Sequence, residues 1–68
     1  METFKEKMKA MRKRTGLSQN KFGVKYHISM INIANWEQGV TAPPEYVQYL
    51  LERVVNEDYS EEKNNGQN

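Results

Sequence analysis

Sixty-eight residues, none of them cysteine and 28% of them charged, with a net charge of +1, make one small domain without a disulfide framework. A chain this short buries only about 60% of its unfolded surface, so its stability depends on good helix packing or on a partner. No apolar run approaches the ~20 residues of a membrane span, and charges interrupt the N-terminus where a signal peptide would carry its apolar stretch, so a cytoplasmic protein is expected. The small net charge hides an asymmetry. Residues 1–27 hold eight Lys or Arg against two Glu, and residues 28–68 hold two against seven acids. A basic half beside an acidic half points to nucleic acid as a partner of the first part.

Thr3 and Glu6 have the spacing of a capping box and predict a helix starting near Phe4. Phe4, Met8 and Met11 recur on one helical face, and Gly16 ends the helix. Lys5, Lys7, Lys9, Arg12, Lys13 and Arg14 stand between them. A solvated face is expected for most of these, with some near enough to phosphate to add to counterion release.

The stretch from Leu17 to Gly39 organises the chain. Ser18 is a good N-cap for a second helix over 19–26, with Phe22 and Tyr26 on its apolar face. Gln19 and Asn20 sit at that helix's N-terminus, where free N–H groups and the dipole favour a phosphate. Lys21 and Lys25 stand four apart on its outer side. After a tight turn at His27, Ser29 caps a third helix over roughly 30–38, which Gly39 closes. On a wheel of about 100° per residue, Ile33 and Trp36 point inward. Met30, Ile31, Ala34, Asn35 and Gln38 point outward, and this short-chained, uncharged face suits a major groove. Asn35 can pair with the N6 and N7 edge of adenine, while Met30 and Ile31 can touch thymine methyls. The competing reading of Met30, Ile31 and Tyr46 is a protein-binding surface, since exposed apolar neighbours need a reason.

Val40 to Pro44 reads as a loop, because Pro43 disfavours helix at Ala42 and Pro44 suits a first turn. A last helix is expected from about Glu45 to Asn56. Val47, Leu50, Leu51 and Val54 have core spacing, and Tyr46, Tyr49 and Val55 remain for the rim or a dimer contact. Residues 1–57 therefore form the domain and residues 58–68 a polar, acidic tail expected to be disordered. The single His has no ligand cluster around it, no Ser-His-Asp set is convincing, and no phosphate-binding glycine loop is present. No enzyme activity, cofactor, metal or small-molecule substrate is expected.

The run from Leu17 to Gly39 resembles the Cro/C1-type (XRE-like, phage-repressor-like) helix-turn-helix family, whose pattern is L-[ST]-Q-x-x-[LF]-A-x-x-x-G-[VI]-S-x-x-x-[IV]-x-x-W-E-x-G. Leu17, Ser18, Gln19, Phe22, Ile28, Ser29, Ile33, Trp36, Glu37 and Gly39 fit it without a gap. Gly23 replaces the usual Ala and keeps the position small. His27 replaces the usual turn Gly and must accept a positive φ. The resemblance implies an all-α fold, a compact bundle of four short helices with a central helix-turn-helix. It also implies a prokaryotic or phage transcriptional regulator, expected to be a repressor, that binds double-stranded DNA through the third helix. Base-edge contacts would then come from Met30, Ile31, Ala34, Asn35 and Gln38. Phosphate contacts would come from Ser18, Gln19, Asn20, Lys21, Lys25, Ser29 and Asn32. The family pairs an Arg of the first helix with the Glu after the Trp, here Arg12 and Glu37. A homodimer is implied as well, including one that forms only on DNA, with half-sites about one DNA turn apart.

Overall fold

The first three of the four helices among the described residues each start at a side chain that satisfies a free backbone N–H. A computed structural model describes residues 3–60, and its helices are α1 (Phe4–Thr15), α2 (Gln19–Tyr26), α3 (Met30–Gln38) and α4 (Glu45–Asp58). No strand occurs among the described residues. At α1, the Thr3 hydroxyl accepts from the Glu6 N–H while the Glu6 carboxylate accepts from the Thr3 N–H, so two donors are satisfied reciprocally. Ser18 and Ser29 accept from the N–H groups of Lys21 and Ile31. Gly16 and Gly39 close α1 and α3 with φ of 73° and 80°. Pro44 precedes α4 and makes no side-chain cap.

The three residues between α2 and α3 make the sharpest turn. His27 is left-handed at φ 61°, as the turn demands of whatever residue stands there. The next N–H, from Ile28, bonds the Gly23 carbonyl at 2.8 Å and ends α2. A Cβ on Gly23 would collide with the Ile28 carbonyl oxygen and press on Ile33 Cδ1 at 3.2 Å. The missing side chain is what lets the chain fold back this closely.

Met8 and Met11 of α1, Phe22 of α2, Ile33 and Trp36 of α3, and Leu51 and Val55 of α4 form one core. Burying side chains of this size contributes about 1.5–3 kcal/mol each. Phe4 meets Trp36 edge to face with ring centroids 5.9 Å apart, and Phe22 stacks obliquely on Tyr26 at 4.8 Å. No buried side-chain N or O among the described residues lacks a hydrogen-bond partner.

The outer end of the fold departs from expectation. Val55, assigned to the rim, is fully buried, whereas Leu50 and Val54, assigned to the core, are 52% and 44% exposed. The inward stripe of α4 is the narrower series Val47, Leu51, Val55 with Tyr59 beyond it, because only one side of this helix meets its neighbours. Leu50 and Val54 fall on its open side, where they line an apolar groove with Tyr26, Ile28, Val47 and Leu51. The helix also runs two residues past Asn56, to Asp58. Tyr59, expected in the tail, packs against the core, held partly by the Arg14 guanidinium bonding the Tyr59 carbonyl at 3.2 Å. Residues 61–68 of the expected tail lie outside the described residues.

Candidate nucleic-acid interface

One carboxylate fixes the relative positions of three helices. Glu37 sits near the end of α3 with its side chain 6% exposed. Arg12 of α1 donates from Nε to Oε2 at 2.6 Å and from Nη2 to Oε1 at 3.0 Å. The third guanidinium nitrogen, Nη1, donates to the Leu17 carbonyl at 3.1 Å, in the link before α2. Gln19, the first residue of α2, adds a bond from Nε2 to Glu37 Oε1 at 3.2 Å. Burial alone would push the Glu37 carboxyl up. The hydrogen bonds from Arg12 and Gln19, with the charges of Arg12 and Lys9, outweigh it and hold the group below its ordinary value. The hydrogen bonding to Glu37 raises Arg12, against a smaller desolvation effect and with the Glu37 charge in support. Both groups therefore stay charged near neutral pH.

This arrangement places the N-terminus of α2 beside the C-terminal end of α3. Ser18, Asn20 and Lys21 are exposed there. Gln19 is half-buried with one amide hydrogen given to Glu37, which leaves the other for an outside acceptor. Sequence reading missed that contact, since the partners are 18 residues apart and no local pattern marks them. At the other end of α3, Ser29, Met30, Ile31 and Asn32 are exposed, Ile31 by 68%. Ala34 and Asn35 are half-buried, and Gln38 is exposed at the last turn. The outward face of α3 thus carries no charged side chain along its whole length. Ser18 and Ser29 use their oxygens as caps but keep their hydroxyl hydrogens for a second acceptor.

Lys25 stands apart from this group. Its ammonium lies 5.6 Å from the centroid of the Tyr26 ring and 5.7 Å from that of Tyr59, toward the C-terminal end of α4. Tyr26 in turn donates its hydroxyl to Asp58 at 2.8 Å. Lys21 and Lys25 are both exposed, as their spacing on the outer side of α2 predicts, with Lys25 toward its C-terminal end.

No set of three or more His, Cys, Asp or Glu residues suited to a metal occurs among the described residues, and no helix there is long and apolar enough to cross a membrane. Compared with protein-family models, curated proteins and solved structures, the chain matches none of them.

Proposed function

We propose that this chain is a sequence-specific double-stranded DNA-binding protein, a transcriptional regulator of the phage-repressor-like type. In this reading α2, the turn at His27 and α3 are its helix-turn-helix. The observation that carries it is the uncharged outward face of α3 standing beside the exposed N-terminus of α2. A helix lies in the major groove most easily when its outward side chains fit the groove and bring no negative charge toward phosphate. Met30, Ile31, Ala34, Asn35 and Gln38 meet that requirement. Glu37, the one acid on α3, is turned inward and paired with Arg12. Asn35 would read an adenine, and Met30 and Ile31 would pack on thymine methyls. Ser18, Gln19, Asn20 and Lys21 would hold one phosphate strand, and Ser29 and Asn32 the other. A two-fold operator would bring two copies together, with half-sites about one DNA turn apart.

Selection of bound fragments from a random duplex pool tests this reading. An enriched consensus is expected. Asn35→Ala should relax one base position within it and weaken the preferred duplex by roughly 1–3 kcal/mol. An unchanged consensus and affinity for Asn35→Ala would remove α3 from the groove.

A second reading draws on the exposure of Ile31, Met30 and Tyr46, at 68%, 47% and 68%. The same fold would then be a protein-interaction module, such as an antitoxin or a phage accessory protein. Salt separates the two readings, since phosphate binding weakens steeply as salt rises and an apolar interface does not.

A further inference from the structure

We propose that Lys5 and Lys9 of α1 hold phosphates beside the C-terminal end of α3, as a second limb of the backbone-contact surface that begins at the N-terminus of α2. The proposal rests on the DNA-binding reading above and adds to it two residues outside the helix-turn-helix.

The cations of α1 have different neighbours, and this sorts them. Arg12 is consumed by Glu37 and Leu17. Arg14 is bound to the Asn56 side chain and the Tyr59 carbonyl at the far end of α4. Lys7 lines a recess between α1 and α4 with Glu45, Gln48 and Glu52, so acids of α4 already face it. Lys5 and Lys9 lie on the other side of α1, against α3. A Cβ placed on Gly39 would meet Lys5 Cδ at 3.1 Å, so the Lys5 stem passes directly over the residue that closes α3. One turn along, Lys9 is close enough for its charge to act on Glu37, the carboxylate that Gln19 also reaches. Lys5, Lys9 and Gln19 therefore follow one another around a single end of α3.

Neither lysine has an acid to itself. Arg12–Glu37 is the one salt bridge among the described residues, and both oxygens of that carboxylate already accept hydrogen bonds. Both lysines are exposed. A helix lying in a groove about 12 Å wide has phosphate strands close on either side. Ammonium groups on flexible stems beside the helix end reach such strands without reading bases.

The competing role is stabilisation of α3 itself, since a cation near a helix C-terminus offsets the negative end of its dipole. The experiment uses the full chain, the duplex chosen by selection and a mixed-sequence duplex. Dissociation constants are measured over a range of salt for the wild type, for Lys5→Gln/Lys9→Gln, for Lys5→Arg/Lys9→Arg and for Lys7→Gln, alongside thermal melts without DNA. The double Gln variant should lower the slope of log affinity against log salt by about two and weaken both duplexes by the same factor. The double Arg variant should keep the slope, and Lys7→Gln should leave it unchanged. The proposal is overturned by a wild-type slope in the double Gln variant, by a loss of about one unit of slope in Lys7→Gln, or by a lower melting temperature with no change in slope. A wild-type chain that binds neither duplex would defeat the DNA-binding reading before any variant is compared, and this proposal with it.

Discussion

The guanidinium of Arg12 and the carboxylate of Glu37 meet in two parallel hydrogen bonds, with the arginine side chain 27% exposed and the glutamate 6%. The unequal burial makes the two truncations unequal. Arg12→Ala strands a charge away from water, with only the Gln19 hydrogen bond and the more distant Lys9 charge left to it, and should cost about 3 kcal/mol. Glu37→Ala frees an arginine that can still turn to solvent, so its cost should be smaller, about 1–2 kcal/mol. The double variant should be much less damaged than the sum of the two. Arg12→Lys should rescue only in part, because a single ammonium cannot replace three directed N–H bonds. Urea denaturation of the four chains measures the coupling, and a value near zero would make these two independent surface charges.

Gly23 and Ile28 set a second expectation. Alanine normally stabilises a helix interior by about 1 kcal/mol over glycine. Here the added methyl would run into the Ile28 carbonyl, a backbone group that cannot swing aside. Forcing the turn open should cost about 1–3 kcal/mol, so Gly23→Ala should lower stability on balance. The displaced turn also carries Ser29 and Met30, so, on the proposed DNA-binding reading, affinity for duplex should fall with it. A Gly23→Ala chain as stable as the wild type would mean that the α2–α3 turn has room to relax.

These two positions also mark how far the sequence could be read. Caps and turns depend on residues within three or four positions of each other. Thr3 with Glu6, Ser18, Ser29, Gly16 and Gly39 could therefore be assigned locally, and they are found in those roles. The small residue at 23 was legible, but the carbonyl that makes it strictly glycine arrives through the turn. On α4, Val54 and Val55 are chemically identical, and their choice of face is made by where α1 and the Ile28 turn stand, not by α4. For the candidate interface, the outward face of α3 follows from helical spacing. The Gln19–Glu37 bond and the passage of Lys5 over Gly39 come from packing between helices, which leaves no local trace.

His27 tests the turn from the other side. It is the one non-glycine residue with positive φ among the described residues, and its ring is exposed. An L-residue held in the left-handed region costs on the order of 1 kcal/mol relative to glycine. His27→Gly should therefore raise stability by about 0.5–1 kcal/mol, less the extra freedom glycine adds to the unfolded chain. On the proposed DNA-binding reading, affinity for duplex should be nearly unchanged. A clear fall in melting temperature would assign the imidazole a stabilising contact.

Tyr26 should make the protein sensitive to alkali. Burial raises the Tyr26 phenol well above its ordinary value, and the hydrogen bond to Asp58, the Asp58 charge and Tyr59 push it further in the same direction. A phenol raised on folding contributes stability that is fully present below its unfolded value of about 10, and loses it as pH rises past that point toward the folded value. The wild type should therefore lose stability above about pH 10, where the unfolded phenol gives up its proton and the folded one must keep it beside a carboxylate. Tyr26→Phe should cost about 0.5–1.5 kcal/mol near neutrality through the lost hydrogen bond, yet decline less steeply in alkali. Other tyrosines and lysines titrate in both chains, so the wild-type minus Tyr26→Phe difference in melting temperature isolates this group. Asp58→Asn, which keeps an acceptor and removes the charge, should fall between them. If the wild type and Tyr26→Phe lost stability in parallel above pH ~10, the Tyr26 phenol would be neither buried nor bonded to Asp58 in solution.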